Sequence, residues 1–210
     1  MNDDNSTHSQ GQQKQKPRWL PLEANPELVH QNGIDDTWGF SDIYEAAERF
    51  RLEEEAHLTK KEQDISPRVM FFKQTIGNAC GMMALIHAFA NNQALVGPGL
   101  FNDIIEKARG MTPDERADLL ESNEQLASVH AASAQTGQTQ APDLNAKIDL
   151  HFICFTEVDH HLYELDGRKT FPINHGKCTD LVEDAAKVMR QFIANDPGHQ
   201  NYSAIALTKL

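Results

Sequence analysis

Residues 79–90, Ala-Cys-Gly-Met-Met-Ala-Leu-Ile-His-Ala-Phe-Ala, are apolar almost all the way round any helix they could form. A helix without a polar face has no place on a surface and must be packed on every side. The run is also too short to cross a bilayer, which takes about 20 apolar residues. It therefore predicts a core helix around which the other elements are layered.

The remaining pattern supplies those elements. Leu100, Phe101, Ile104, Ile105 and Ala108 fall on one helical face, as do Leu181, Ala185, Val188 and Phe192 after Thr179-Asp180. Thr112-Pro113-Asp114-Glu115 is a helix start, with a cap, a proline at the first helical position and the acid of a capping box. Glu45–Lys61 is charged and amphipathic, anchored by Phe50, Leu52 and Leu58. Short apolar runs between breakers at Val69–Phe72 and Ser203–Leu207 read as strands, and Ile148–Phe155 alternates with period two. Leu162–Asp166 reads as the hairpin partner of that strand, with Val158-Asp159 at the tip. Residues 137–142 read as a loop. Helices mixed with strands indicate an α/β or α+β fold. Residues 1–17 are polar and Asn/Gln/Ser-rich, and are expected to form a disordered tail. Order is expected from Trp19-Leu20-Pro21-Leu22, giving one domain over 18–210.

Cys80 lies where the apolar helix opens, after Gln74-Thr75-Ile76-Gly77-Asn78-Ala79. With Asn78 as the N-cap, the thiol sits in the first turn, where free amides and the helix dipole favour the thiolate. Alone, this position is also that of a small inert core residue. The choice between the two depends on a base.

The hairpin offers one. A tip at Val158-Asp159 sets His151 opposite Asp166, and directly opposed residues are close enough for an imidazole–carboxylate hydrogen bond. Asp166 would then fix the tautomer of His151 and stabilise its imidazolium. The alternative is a polar cross-strand pair on an exposed face. His160 and His161 fall at the hairpin tip and are expected in solvent. His87, two turns beyond Cys80, is expected as a hydrogen-bonded core histidine. His175 and Cys178 have ligand-like spacing, but no second pair matches it, so a structural zinc is not expected.

The 31 acids exceed the 19 Lys and Arg by 12. Such a surface opposes nucleic-acid binding, which requires a basic face. Three cysteines, Cys80, Cys154 and Cys178, make no disulfide framework and suit a reducing compartment. The first residues lack the layout of a signal peptide. The expectation is a soluble cytoplasmic protein that binds neither nucleic acid nor membrane.

The run Gln74-Thr-Ile-Gly-Asn-Ala-Cys80-Gly-Met-Met-Ala-Leu-Ile-His-Ala-Phe-Ala90 closely resembles the active-site signature of the ubiquitin carboxyl-terminal hydrolases, which are papain-like cysteine peptidases. Asp149-Leu-His151-Phe-Ile and His161-Leu-Tyr-Glu-Leu-Asp166-Gly-Arg-Lys-Thr-Phe-Pro-Ile-Asn-His-Gly176 resemble its second signature region. Trp19–Glu27 and Ser203–Leu207 resemble the two ends of the domain, and the likeness favours the short single-domain members, those of the L3 type most. The resemblance implies a central, mainly antiparallel sheet flanked by helices, with a knotted chain. It implies Cys80 as nucleophile, His151 as general base, Asp166 as the residue orienting His151, and Gln74 as a side-chain oxyanion donor. It also implies a monomer without metal or cofactor whose partner is ubiquitin. Its reaction would be release of small adducts or peptides from ubiquitin's C-terminal glycine. The loop over the site would be roughly Gln135–Ala146.

Two departures from the family pattern stand out. Members carry a helix and an apolar strand between the segments matching Ile43-Tyr44 and Arg49-Phe50; here Tyr44 runs directly into Glu45-Ala46-Ala47-Glu48. A missing central strand would leave neighbouring backbone groups unpaired unless the sheet closes up. It leaves open, as the alternative function, an impaired or inactive ubiquitin-binding variant. The second is His160, where the family has glycine after the turn aspartate, a place where positive φ suits glycine better.

Overall fold

The computed structural model describes residues 17–19, 38–39, 58, 63–135, 151–195, 202 and 204–209. The expected tail up to residue 16, most of the helix expected at 45–61, the loop at 137–142 and the segment 136–146 lie outside these residues. Pro17, at the end of the expected tail, already belongs to the fold, its carbonyl accepting from Gly77 N at 2.9 Å.

Helix α1 spans Cys80–Ala90. It is as buried as its composition requires: Met82, Ile86 and Phe89 are at most 1% exposed. One side of it packs with Phe72, Phe101, Ile104, Leu120 and Leu126. These come from the segment before it and from helices α2 (Leu100–Ala108), α3 (Pro113–Glu121) and α4 (Glu124–Gln135). Ala84 and Ala88, on another side, pack in a cluster with Phe71 and with Cys154, Val158, Tyr163 and Leu165 of the sheet. The two alanines let the helix approach the sheet. The five residues expected on the inner face of α2 are all buried. The capping box of α3 forms as read: Glu115 N donates to Thr112 Oγ1 at 3.3 Å, and Thr112 N donates to Glu115 Oε2 at 2.7 Å.

A two-residue strand, β1 (Trp38–Gly39), pairs antiparallel with β5 (Thr208–Lys209). The main sheet has the order β2 (Cys154–Val158), β3 (His161–Leu165), β4 (Ile173–Lys177), antiparallel throughout. Alternation sends Tyr163 and Leu165 toward α1, and Leu162 toward helix α5 (Leu181–Asn195), whose Ala185, Val188 and Phe192 form the outer layer. Leu181, expected on that inner face, is exposed at the helix's first position.

Four strand expectations are corrected. The hairpin tip is Asp159-His160, with φ of 51° and 62°, and Cys154 faces Leu165 rather than Tyr163. Two consecutive left-handed residues make the turn whose twist suits a tight hairpin, so His160 takes the conformation for which glycine is better suited. Residues 151–153 precede the ladder, which begins at Cys154. Of the expected strand Ser203–Leu207, Ala204 makes a single bridge, Ile205–Leu207 join no ladder among the described residues, and β5 begins at Thr208.

Met70, Phe71 and Phe72 are buried and Val69 is half-buried, but the segment joins no sheet among the described residues. Side chains supply its backbone partners instead. Asn91 Oδ1 accepts from Met70 N at 2.8 Å, and Asn91 Nδ2 donates to Met70 O at 2.9 Å. His87 Nε2 lies 3.0 Å from Phe72 N and 3.1 Å from Phe72 O, and Arg116 donates to Phe71 O at 3.0 Å. Four apolar residues between breakers encode burial, not the group that will meet each N–H and C=O.

Candidate active site

Cys80 is the first residue of α1. The expected cap is not made by Asn78: the N-cap is Ala79, with no side-chain hydrogen bond, and Asn78 takes a left-handed φ of 61°. Asparagine tolerates that conformation, which turns the chain into the helix. The amides of the first turn therefore have no cap side chain, and no acid lies in that turn. A helix start of this kind favours an anion.

His151 is buried and reaches Asp166, Nε2 to Oδ1 at 2.6 Å. The same carboxylate oxygen accepts from Arg168 N at 2.8 Å. With Nε2 committed to Asp166, Nδ1 is the ring nitrogen left for another partner. It is buried without a well-formed hydrogen bond, and the Cys80 thiol is near enough to act on the ring. Burial works against a charged imidazole. The hydrogen bonds and charges of Asp166 and Cys80 outweigh it and raise His151 to about 9. Burial also raises the Cys80 thiol. The interaction with His151, a hydrogen bond from the backbone of Phe152 and the charge of Arg168 more than offset this, leaving it below the usual thiol range. The thiolate and imidazolium thus stabilise one another. The other two thiols go the opposite way: burial pushes Cys154 up to about 12, and burial with nearby acids raises Cys178.

Gln74 enters through the backbone. Its N–H donates to Gly167 O at 2.7 Å, which ties the segment leading to Cys80 to the turn after Asp166. A β-carbon on Gly167 would lie 2.9 Å from Gln74 Cβ and 3.2 Å from Gln74 N, so only glycine permits this approach. Gln74 Nε2 donates to Ile76 O at 3.0 Å, and a second amide hydrogen remains. The loop is braced from outside by the chain start: Trp19 N donates to Gly77 O at 2.8 Å, and the Trp19 ring lies 4.4 Å from that of His130.

The fold therefore gathers Cys80, His151, Asp166 and Gln74 in one region. His87 is fully buried, bonded to Phe72 and lowered by burial to about 4, so it is neutral at pH 7. His160 is exposed at the tip, and His175 contacts Glu164 at 2.9 Å. Reading the sequence missed Phe152, Gly167 and Arg168. The run Asp166-Gly167-Arg168 carries a turn signal that could have pointed to the last two. Chemically, the constellation pairs a stabilised sulfur anion with a proton donor and nearby amide donors. That is the equipment for attack on a carbonyl carbon and protonation of its leaving group.

Residues 45–194 match the family model described as ubiquitin carboxyl-terminal hydrolase, family 1. Ubiquitin carboxyl-terminal hydrolase isozyme L1 of Macaca fascicularis and that of Homo sapiens are each 38% identical over 222 aligned positions, covering 90% of this chain and 97% of theirs. A Drosophila melanogaster ubiquitin carboxyl-terminal hydrolase is 35% identical over 221 positions, with the same coverage. These alignments are longer than the 210 residues of this chain, so the relatives carry residues that have no counterpart here. The family match begins at residue 45, the point where the sequence departs from the family pattern. Among solved structures, the Trichinella spiralis UCH37 catalytic domain bound to ubiquitin vinyl methyl ester shares the fold. Its TM-score is 0.65 at 21% identity, covering 90% of this chain and 96% of that one.

Proposed function

The chain belongs to ubiquitin carboxyl-terminal hydrolase family 1, and on that premise we propose that it hydrolyses bonds to the C-terminal glycine carbonyl of ubiquitin, with Cys80 as nucleophile. The observation that carries this reading is the Asp166–His151 contact of 2.6 Å, which leaves Nδ1 for the thiol at the start of α1.

In the proposed reaction the Cys80 thiolate attacks the carbonyl carbon, and the π electrons move onto oxygen. The second amide hydrogen of Gln74 and the Cys80 backbone N–H stabilise that oxyanion. The C–N or C–S bond to the adduct breaks as the His151 imidazolium donates its proton to the leaving group. Water then attacks the thioester carbonyl as His151 accepts its proton, the C–S bond breaks to return the Cys80 thiolate, and ubiquitin leaves with a free carboxylate. Asp166 holds the ring by Nε2 and balances its charge throughout. The substrates are small adducts or short peptides on ubiquitin. The acidic surface complements ubiquitin's basic tail and speeds encounter. Among the described residues no helix is long and apolar enough to cross a membrane.

The test is reaction with ubiquitin vinyl methyl ester alongside turnover of a ubiquitin–fluorophore amide. The expected result is one covalent adduct, mapped to Cys80, and turnover abolished by Cys80→Ala. A protein that melts cooperatively yet forms no adduct would overturn the reading. The residues that relatives carry and this chain lacks favour a second reading, an impaired ubiquitin-binding variant. Binding of ubiquitin with neither adduct nor turnover would establish it.

A further inference from the structure

Glu164, Lys169 and His175 form a charged cluster that the reaction above does not use. Glu164 and Lys169 are only 2% and 3% exposed. Lys169 Nζ donates to Glu164 Oε1 at 2.5 Å, and Glu164 Oε2 lies 2.9 Å from His175 Nε2 on β4. Removing two such charges from water costs several kcal/mol, and replacing a buried pair with apolar side chains is often neutral or stabilising. Stability alone is a weak reason for the pair.

Its placement supplies a stronger one. Glu164 lies two residues before Asp166 on β3, and Lys169 three residues after it. Between them the backbone turns sharply: Lys169 N donates to Asp166 O at 2.9 Å, and Arg168 N donates to Asp166 Oδ1 at 2.8 Å. The ion pair closes this turn across its base, with Asp166 at the corner, while His175 steadies Glu164 from the neighbouring strand. The ladder gives Asp166 no such support, since it ends at Leu165.

We propose that Glu164 and Lys169 are positioning residues for the reaction: their ion pair locks the 166–169 turn so that Asp166 Oδ1 is held on His151 Nε2. This rests on the reading of Cys80, His151 and Asp166 given above. A contact of 2.6 Å is directional, and displacement of about 1 Å in such a group costs about a hundredfold in rate. The charged or titratable groups acting on His151 and Asp166 are each other, Cys80 on His151, Lys169 on Asp166 and, from α1, His87 with Asp166; the charge of Arg168 acts on Cys80, and only its backbone N–H reaches Asp166.

The experiment uses the full chain with both partners replaced, Glu164→Met with Lys169→Met, so that no buried charge is left alone. Three quantities are read: the melting curve, kcat and KM on a ubiquitin–fluorophore amide, and the ultraviolet absorbance of the thiolate at neutral pH. Cys154 and Cys178, whose thiols are raised, add nothing to that absorbance. The double variant should melt cooperatively and keep KM. Its kcat should fall about a hundredfold, and the Cys80 thiolate signal should shrink. Lys169→Arg, which can still reach Glu164, should retain most of both. A folded double variant with wild-type kcat and thiolate signal overturns the proposal, as does a loss of kcat with the thiolate intact. Should the double variant not fold, Glu164→Gln combined with Lys169→Gln carries the same test, since it keeps side chains of similar length and removes both charges together. If the wild-type chain labels with no ubiquitin probe, the reading of Cys80 fails, and the thiolate signal still decides whether the pair positions Asp166.

Discussion

His151 and Asp166 meet at 2.6 Å beyond the end of the ladder that brings them near one another. Strand pairing between β2 and β3 stops at Cys154 and Leu165. From there one chain leads back to the histidine and the other folds into the 166–169 turn. The contact therefore depends on the turn's own hydrogen bonds rather than on strand register.

Asp166→Asn should preserve the turn and remove the charge. The amide can leave the ring in the wrong tautomer, with a proton on the nitrogen that must accept one. Turnover of a ubiquitin–fluorophore amide should fall on the order of 10³- to 10⁴-fold with a near-normal melting curve. Unchanged turnover would remove Asp166 from the mechanism.

The pH profile follows from the coupled pair, which titrates as a unit. Cys80 is held below the usual thiol range and His151 raised to about 9. Alkylation of Cys80 by iodoacetamide should set in at lower pH than that of an ordinary thiol, and hydrolysis should decline as pH passes about 9 and the imidazolium is lost. Stability carries the matching sign. A histidine raised in the folded state contributes fully below its unfolded value of 6.5, and that contribution is lost as pH rises through about 9. His151→Gln should remove this alkaline loss, as melting curves at several pH values would show.

His87 carries the opposite sign. Burial lowers it to about 4, so its contribution is present above 6.5 and declines as pH falls toward 4. His87→Leu should cost about 1–3 kcal/mol, because Nε2 of the neutral ring serves one of the Phe72 backbone groups, N–H or C=O, and the variant leaves that buried group unpaired. Urea unfolding at pH 5 and pH 7 should show a smaller difference in the variant than in the wild-type chain.

Gly167→Ala places a methyl 2.9 Å from Gln74 Cβ and 3.4 Å from Phe72 O. The Asp166 turn and the Gln74 segment must separate. A loss of about 1–3 kcal/mol is expected, with kcat falling more than KM rises. A variant that crystallises with the Gln74 N to Gly167 O bond intact would refute the close-approach argument.

His160→Gly tests the hairpin tip. A non-glycine residue at φ of 62° carries strain of about 1 kcal/mol, and the contact of His160 with Glu157 is exposed and weak. Thermal unfolding should show a gain of about 0.5–1 kcal/mol without any change in turnover.

The sequence by itself determined what local composition can encode. An all-apolar stretch had to become the buried helix α1, Thr112–Glu115 had to start α3, and Cys80 had to stand at a helix opening. His151 and Asp166 were also legible as a pair, although the hairpin register was read two positions short. Both residues lie beyond the ladder, so their contact comes from the course of the chain past Cys154 and Leu165 and not from that register. Tertiary structure decided the rest, because it depends on which distant groups meet. Asn78 takes a left-handed turn instead of capping, Asn91 and His87 supply the backbone partners expected from a strand at Val69–Phe72, and Gly167 brings Gln74 to the Asp166 turn. Composition and periodicity report how much of a residue is buried. Only the packed chain settles which donor satisfies which acceptor.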